Sequence, residues 1–442
     1  MKLDYMEIAI SAFLGEIAQR SISFFINKLE FSREDSTSLP FNEHLRRKLL
    51  RVRIIVEEAE GRQIRNQAML EQLKLLQAGM YRGYYVLDTY RYQAHHEEDH
   101  SRVSHSFAIS KFNPTKRVML RKGRSGRGGQ KEMHQVIGSL EIIIRDASEL
   151  VMFLNGSPPL YRQLYSAYLI MEKCMFGRHV EMEQIINFLM QKGSQYGTIN
   201  LDVLPIVGPA KVGKSTLIEH VCSDERVHTA FSRIMFFTEE DLSAIKHQNH
   251  VSNRDERVLV IVEVNEDINE AVWSTIYSSS KRYAANGGKI IICSRSDNIA
   301  RFGTTRALKV EYLSREAYWY FFKGLAFGSV DPEEEPELVA IAMEITVGLH
   351  GSFIAGNVIA RVLRANFSVK FWRMALSCLK EASCFTHGSR DYQIVSADNQ
   401  APMITFQDVW SGGAIPQGTF DVLAWRSTIP PYYSFSISCE IH

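Results

Sequence analysis

Residues 201–220 read LDVLPIVGPAKVGKSTLIEH, and the rest of the chain is understood outward from them. An apolar run from Leu201 to Val207 meets Gly208; four residues intervene; then come Gly213, Lys214, Ser215 and Thr216. Gly208 to Ser215 fit G-x-x-x-x-G-K-[ST] at every specified position, between a strand-like run and a helix-like pattern, where that motif has to sit. The spacing has a physical reason. Two glycines admit backbone angles that turn successive N–H groups toward one point. Those amides, from Lys211 and Val212 through Thr216, and the positive end of the following helix suit a diphosphate. Lys214 adds a point charge for the outer phosphates, and the Ser215 hydroxyl is the kind of hard oxygen that completes a Mg²⁺ shell.

Short continuous apolar runs recur on either side: DVLPIV, RIMFF, RVLVIVEV and KIIICS. Longer helix-like or loop segments separate them, which predicts buried parallel strands with crossovers. The VLVIVEV run ends in Glu263, which we assign as the metal-directed acid expected at the end of a neighbouring strand. The next residue is Val264, which cannot accept a proton from water. Glu266 and Asp267 lie a few residues on and serve as a base only if the loop curls back. Arg295 follows KIIICS directly, where a guanidinium can reach a terminal phosphate. No catalytic residue is assigned.

Before this α/β region the period is helical. Apolar positions predict helices over the first 30 residues, then about 41–63, 67–92 and 132–154, whose stripes can close a four-helix bundle over residues 1–160. Between the third and fourth, residues 100–131 hold no Asp or Glu but nine Lys or Arg, and close on GRSGRGGQ. Glycine and like charge both oppose helix, so a mobile loop is expected there. His95, His96, His100 and His105 read as a polar loop rather than a zinc site, because no cysteine lies near. From Ser314 the pattern is helical again. After Glu381 it is poorly periodic; MITFQDVW, TFDVLAW and YYSFSIS are the only strand candidates.

Bulk composition narrows the class. Net charge is +1, so the balance of the whole chain favours no polyanionic partner. Six scattered cysteines do not form a disulfide framework, which points to a reducing compartment. Asp4 and Glu7 interrupt any signal-peptide pattern, and Glu16, Gln19 and Arg20 break any membrane span, so an intracellular protein is expected. The first helix reads as core, with membrane insertion the alternative.

The order of these parts resembles a plant NLR immune receptor of the coiled-coil class, in the STAND branch of P-loop ATPases (the NB-ARC architecture). CMFGRHVEMEQIINFL resembles the segment before that family's nucleotide domain, and the resemblance implies that Gly177 and Arg178 lie beside the adenine. VGPAKVGKSTL resembles the phosphate loop, RVLVIVEVNEDINEAVW the Walker B strand, GGKIIICSRSDNIARFG the strand ending in the sensor arginine, and LSREAYWYFFKGLAFG the helix entry that follows. The implied domains are a coiled-coil-type bundle at 1–160, a P-loop domain at 174–312, a helical subdomain at 313–383 and an irregular extension at 384–442. Departures accompany the match. The acidic motif of the third helix keeps only Asp88. Glu263 and Val264 stand where the family has two consecutive aspartates. Gly348-Leu349-His350-Gly351 lacks the proline that packs on adenine, no Met-His-Asp motif is present, and residues 330–442 show no leucine-rich period. The chain therefore reads as a truncated form, without the winged-helix subdomain and the repeats.

The resemblance implies ADP or ATP with Mg²⁺ as ligands. It implies defence signalling as the role, with the chain a nucleotide-dependent switch or an adaptor to full-length receptors. Partners are then other NLR or defence-signalling proteins met through the bundle, with self-association and transient membrane contact in second place and nucleic acid not expected. Two other readings compete: a weak P-loop ATPase that couples hydrolysis to assembly, and a pure interaction module with a relic nucleotide site.

Overall fold

In the structure, a computed structural model, the residues described are 41–103, 125–160, 175–191, 201–238, 257–264, 267–283, 287–383, 393–395, 404–405, 408, 418–427 and 434–441. They fall into two units. One comprises residues 1–164 with 333–339, the other 165–332 with 340–442.

The first unit is helical: α1 (Phe41–Glu60), α2 (Gln67–Val103), α3 (Ser125–Asp146) and α4 (Ser148–Leu154). The stripes read from sequence form its interior. Leu45, Leu49, Val52 and Val56 of α1 are buried, as are Leu70, Leu73 and Leu76 of α2 and Met133, Val136 and Leu140 of α3. Each such side chain contributes about 1.5–3 kcal/mol of transfer free energy. Arg62 closes the α1–α2 turn. Its guanidinium bonds Glu58 and the carbonyls of Leu154 and Ser157, joining that turn to the end of α4. The helix expected over the first 30 residues lies outside the described residues, as does most of the basic segment.

Two expectations are corrected here. Helix α2 runs on to Val103, and α3 begins at Ser125, so both ends of the supposed loop are helical, GRGG included. Long-range packing of each helix outweighs the roughly 1 kcal/mol that each glycine costs. The expected fourth helix is also divided at Ala147, into α3 and α4. Asp88 is buried, only 7% exposed. The four histidines lie outside the residues whose side chains are described; among those described, no cluster of three metal-ligating groups occurs, and no helix is long and apolar enough to cross a membrane.

The second unit opens with α5 (His179–Met190) and continues through β1 (Asp202–Val207), α6 (Lys214–Cys222), α7 (Glu225–Ala230), β2 (Arg233–Thr238), β3 (Val258–Glu263), α8 (Glu270–Tyr283), β4 (Lys289–Ser294) and β5 (Leu308–Lys309). The five strands are parallel, in the order β2-β3-β4-β1-β5. Strand residues alternate between two cores. Leu204, Ile206, Ile261, Ile291 and Cys293 pack with Ile185, Leu189 and Leu217 on one face. Val203, Val207, Val260, Val262, Ile290 and Ile292 pack with Ile276 and Ile299 on the other. Burial on both faces explains why these runs lack polar alternation.

Register places the chemistry. Val207 pairs with Ser294 and Glu263 with Cys293, so the residues ending β1, β3 and β4 emerge along one edge of the sheet. That edge is where doubly wound sheets bind ligands.

Helices α9 (Arg315–Phe327), α10 (Pro336–Gly348), α11 (Phe353–Ala365) and α12 (Val369–Ser383) follow. Ser314 caps α9 through the Ala317 N–H, and Ser352 caps α11 through the Ala355 N–H. Trp319, Phe322, Phe327 and Trp372 are fully buried around them, with the Trp372 indole donating to the Leu363 carbonyl at 2.9 Å. The extension beyond 384 is not wholly irregular. Strands β6 (Gln393–Val395), β7 (Gly418–Arg426) and β8 (Ser434–Ile441) form an antiparallel sheet in the order β6-β8-β7. TFDVLAW lies within β7, with Val422 buried beside exposed Asp421. Most of YYSFSIS lies in β8; of MITFQDVW the described residues are Ile404, Thr405 and Asp408, and Thr405 forms an isolated bridge with Leu423.

Candidate functional site

The loop between β1 and α6 is built around backbone. Gly208 has no room for a side chain: a Cβ there would stand 2.1 Å from the Val310 carbonyl oxygen. Val310 is itself fixed, its N–H donating to Val207 at 2.8 Å. Two residues turn left-handed, Lys211 (φ +59) and Gly213 (φ +92). The second is free for glycine; the first costs a side-chain-bearing residue about 1 kcal/mol or more. Gly213 opens α6 with no side-chain cap on its first N–H groups, which an α-helix cannot pair internally. An acceptor from elsewhere suits those donors.

Lys214 is buried to within 8% of full enclosure, and its ammonium donates to the Gly208 carbonyl at 2.8 Å and the Pro209 carbonyl at 2.9 Å. The charge therefore curls over the loop rather than reaching into solvent. Burial pulls its pKa down and the Arg295 charge pushes it down further, while the Glu263 carboxylate pulls it back up, so these groups share one electrostatic neighbourhood. Burial pushes the Cys293 thiol up to about 12, which leaves it an inert apolar neighbour at neutral pH. The Ser215 hydroxyl donates to Glu263 Oε1 at 2.6 Å, bringing together the two oxygens assigned to metal from sequence. Glu263 is exposed at the end of a strand otherwise buried, and Arg295 is exposed at the end of the adjacent one. Thr216 is half-buried on the first turn of α6, and Val212 is buried beneath the loop.

Arg178 approaches from the other side. It is 3% exposed, and its Nη2 donates to the Glu311 carbonyl at 2.5 Å and to the Val212 carbonyl at 3.4 Å. Its guanidinium lies over the Phe353 ring, 5.9 Å from the centroid, while its Nε is buried without a hydrogen-bond partner. Gly177 beside it is left-handed (φ +67), and a Cβ there would come 2.9 Å from Leu313. The structure thus brings Gly177, Arg178, the loop from Gly208 to Thr216, Glu263 and Arg295 to one edge of the sheet.

The base for water activation is another matter. Val264 is buried, with its N–H donating to the Cys293 carbonyl at 2.9 Å. Asp267 accepts from Asn298 Nδ2 at 2.6 Å and from Ser296, which lower its pKa and occupy the carboxylate. Glu266 lies outside the described residues.

Comparison with known proteins points the same way as these motifs. The chain is 26% identical over 352 residues to disease resistance protein RGA2 of Solanum bulbocastanum, an overlap of 73% of this chain and 34% of that one. It is 24% identical over 408 residues to the putative disease resistance RPP13-like protein 1 of Arabidopsis thaliana, covering 84% of this chain and 37% of that one. Its relatives are plant disease resistance proteins of the NLR type. The chain spans about a third of the length of the curated relatives it matches. No family model matches it. Among solved structures, domain III of the Thermotoga maritima replication initiation protein DnaA overlaps 49% of this chain and 99% of its own, at 14% identity and a TM-score of 0.32, too loose a fit to carry argument.

One departure from the NLR pattern shows in the backbone. His350, at the position where proline is missing, is left-handed (φ +47). Proline, locked near −65°, cannot take that angle. Sequence reading missed four contributors to the site: the Val310 and Glu311 carbonyls, the Tyr312 hydroxyl and the Phe353 ring. Their contacts join residues about a hundred or more positions apart and leave no local signal.

Proposed function

We propose that this chain binds ADP or ATP with Mg²⁺ at residues 208–216 and serves plant defence signalling as a nucleotide-dependent switch or as an adaptor to full-length receptors. The observation that carries the reading is the loop itself: a glycine packed on backbone, an uncapped helix start, and a lysine ammonium curled above it. These features fit a diphosphate. In this reading the N–H groups from Lys211 to Thr216 hold the phosphates, and Lys214 and Arg295 balance their charge. Ser215 and Glu263 hold the metal, which supplies charge neutralisation between the phosphates. Gly177 and Arg178 border the base.

Val264 and the occupied Asp267 carboxylate favour holding nucleotide over turning it over, so any ATPase activity is expected to be weak. The relationship to disease resistance proteins supports the defence role, and the partners proposed are other defence-signalling proteins met through the helical unit.

The test is to denature purified protein and separate what it releases. Stoichiometric adenine nucleotide, together with a rise in melting temperature on adding ADP, supports the reading. An empty site and an unmoved melting temperature overturn it in favour of the relic.

A further inference from the structure

The four residues after β5 touch the loop and the Gly177–Arg178 corner one after another. The Val310 carbonyl closes on Gly208, the Glu311 carbonyl accepts from Arg178, and Leu313 fills the space beside Gly177. Tyr312 commits a polar side chain instead: its hydroxyl donates to the Ala210 carbonyl at 2.8 Å while the residue remains 49% exposed. Ala210 is at the tip of the loop, directly before left-handed Lys211.

A trans peptide is planar, with its C=O and N–H pointing opposite ways. Holding the Ala210 oxygen toward Tyr312 therefore aims the Lys211 N–H away from Tyr312. The same bond offsets the cost of a left-handed lysine, a conformation that persists only where surroundings enforce it. We propose that Tyr312 is a positioning residue for the nucleotide, fixing the 210–211 peptide so that the Lys211 N–H faces the diphosphate. This rests on the nucleotide-binding reading above and names a further residue that sets its affinity.

The experiment titrates ADP with Mg²⁺ into the full chain and its Tyr312→Phe variant, with ligand-free melting measured alongside. One net hydrogen bond predicts about a fivefold rise in the ADP Kd. Ligand-free melting should stay within about a degree, since the hydroxyl is half in water. The loss should shrink when Lys211→Gly is added, because glycine holds the left-handed angle unaided. Wild type that ignores ADP overturns both the reading and this inference. Wild type that binds, with Tyr312→Phe binding equally well, overturns only this one. A Tyr312→Phe chain that melts several degrees lower without ligand assigns the tyrosine a merely structural role and overturns it too.

Discussion

Gly83 in the helical unit and Gly208 in the loop between β1 and α6 both sit where a Cβ has no room, but what stands in the way differs. At Gly83 it would meet Leu49 Cδ2 at 2.4 Å, the free end of a flexible side chain. At Gly208 it would meet a backbone oxygen at 2.1 Å, on a residue tied into the sheet. A leucine methyl can swing aside; the carbonyl of a residue whose own N–H is tied to β1 cannot move without its backbone. The helical unit is thus built of side chains that can repack, and the loop of backbone that cannot.

That contrast can be broken by substitution. Gly208→Ala should do the most harm, destabilising the chain by about 3 kcal/mol as backbone is forced apart, and abolishing the response of its melting temperature to ADP. Glu263→Gln comes next. It removes one charged oxygen from the Ser215 pair, and the gain in ADP affinity that Mg²⁺ brings should fall about tenfold in calorimetry, with stability unchanged. Gly83→Ala should cost only about 1 kcal/mol in urea unfolding, as Leu49 changes rotamer, and should leave ADP binding intact. If Gly83→Ala and Gly208→Ala prove equally damaging, the contrast fails.

The smallest effect sharpens the comparison within the second unit, where a side-chain cluster does for α7 what backbone does for the loop. Asp224 caps α7 through the Arg226 N–H, and the Arg226 guanidinium pairs with both Asp224 and buried Glu183. Burial pulls the Asp224 carboxyl up, but the hydrogen bonds and charge of Arg226 outweigh it, and the pKa lies below the ordinary 3.8. A carboxyl lowered on folding stabilises above its unfolded pKa, and that contribution is lost as pH falls through the folded value. Asp224→Ala should therefore cost about 1 kcal/mol in urea unfolding at pH 7 and less at pH 3.

What could be read in advance follows the same division. The loop was legible because its glycines, lysine and serine have fixed spacing, and because a strand and a helix flank them. Glu263 and Arg295 were legible because each ends an apolar run, and parallel register then aligns such ends. The helical stripes at Leu45–Val56 and Met133–Leu140 were legible from their period. The reach of α2 to Val103 and the start of α3 at Ser125 were not: glycine-rich, like-charged sequence argues against helix locally, and only packing further along the same helices reverses that. Tyr312 was illegible for a related reason, since its partner Ala210 lies 102 residues away. The strands β7 and β8 were legible as TFDVLAW and YYSFSIS, the latter from its alternation of serine with Phe435 and Ile437, but their pairing with each other and with β6 was not.

The most direct measurement is calorimetric titration of ADP with Mg²⁺ into the intact protein and into Lys214→Ala. If Lys214 balances the phosphates as proposed, removing its ammonium should weaken binding about a hundredfold. One site in the wild type, and none measurable at the same concentration in the variant, is the predicted result. Binding of equal strength in both, or no heat from either, would contradict the claim that this loop holds a nucleotide.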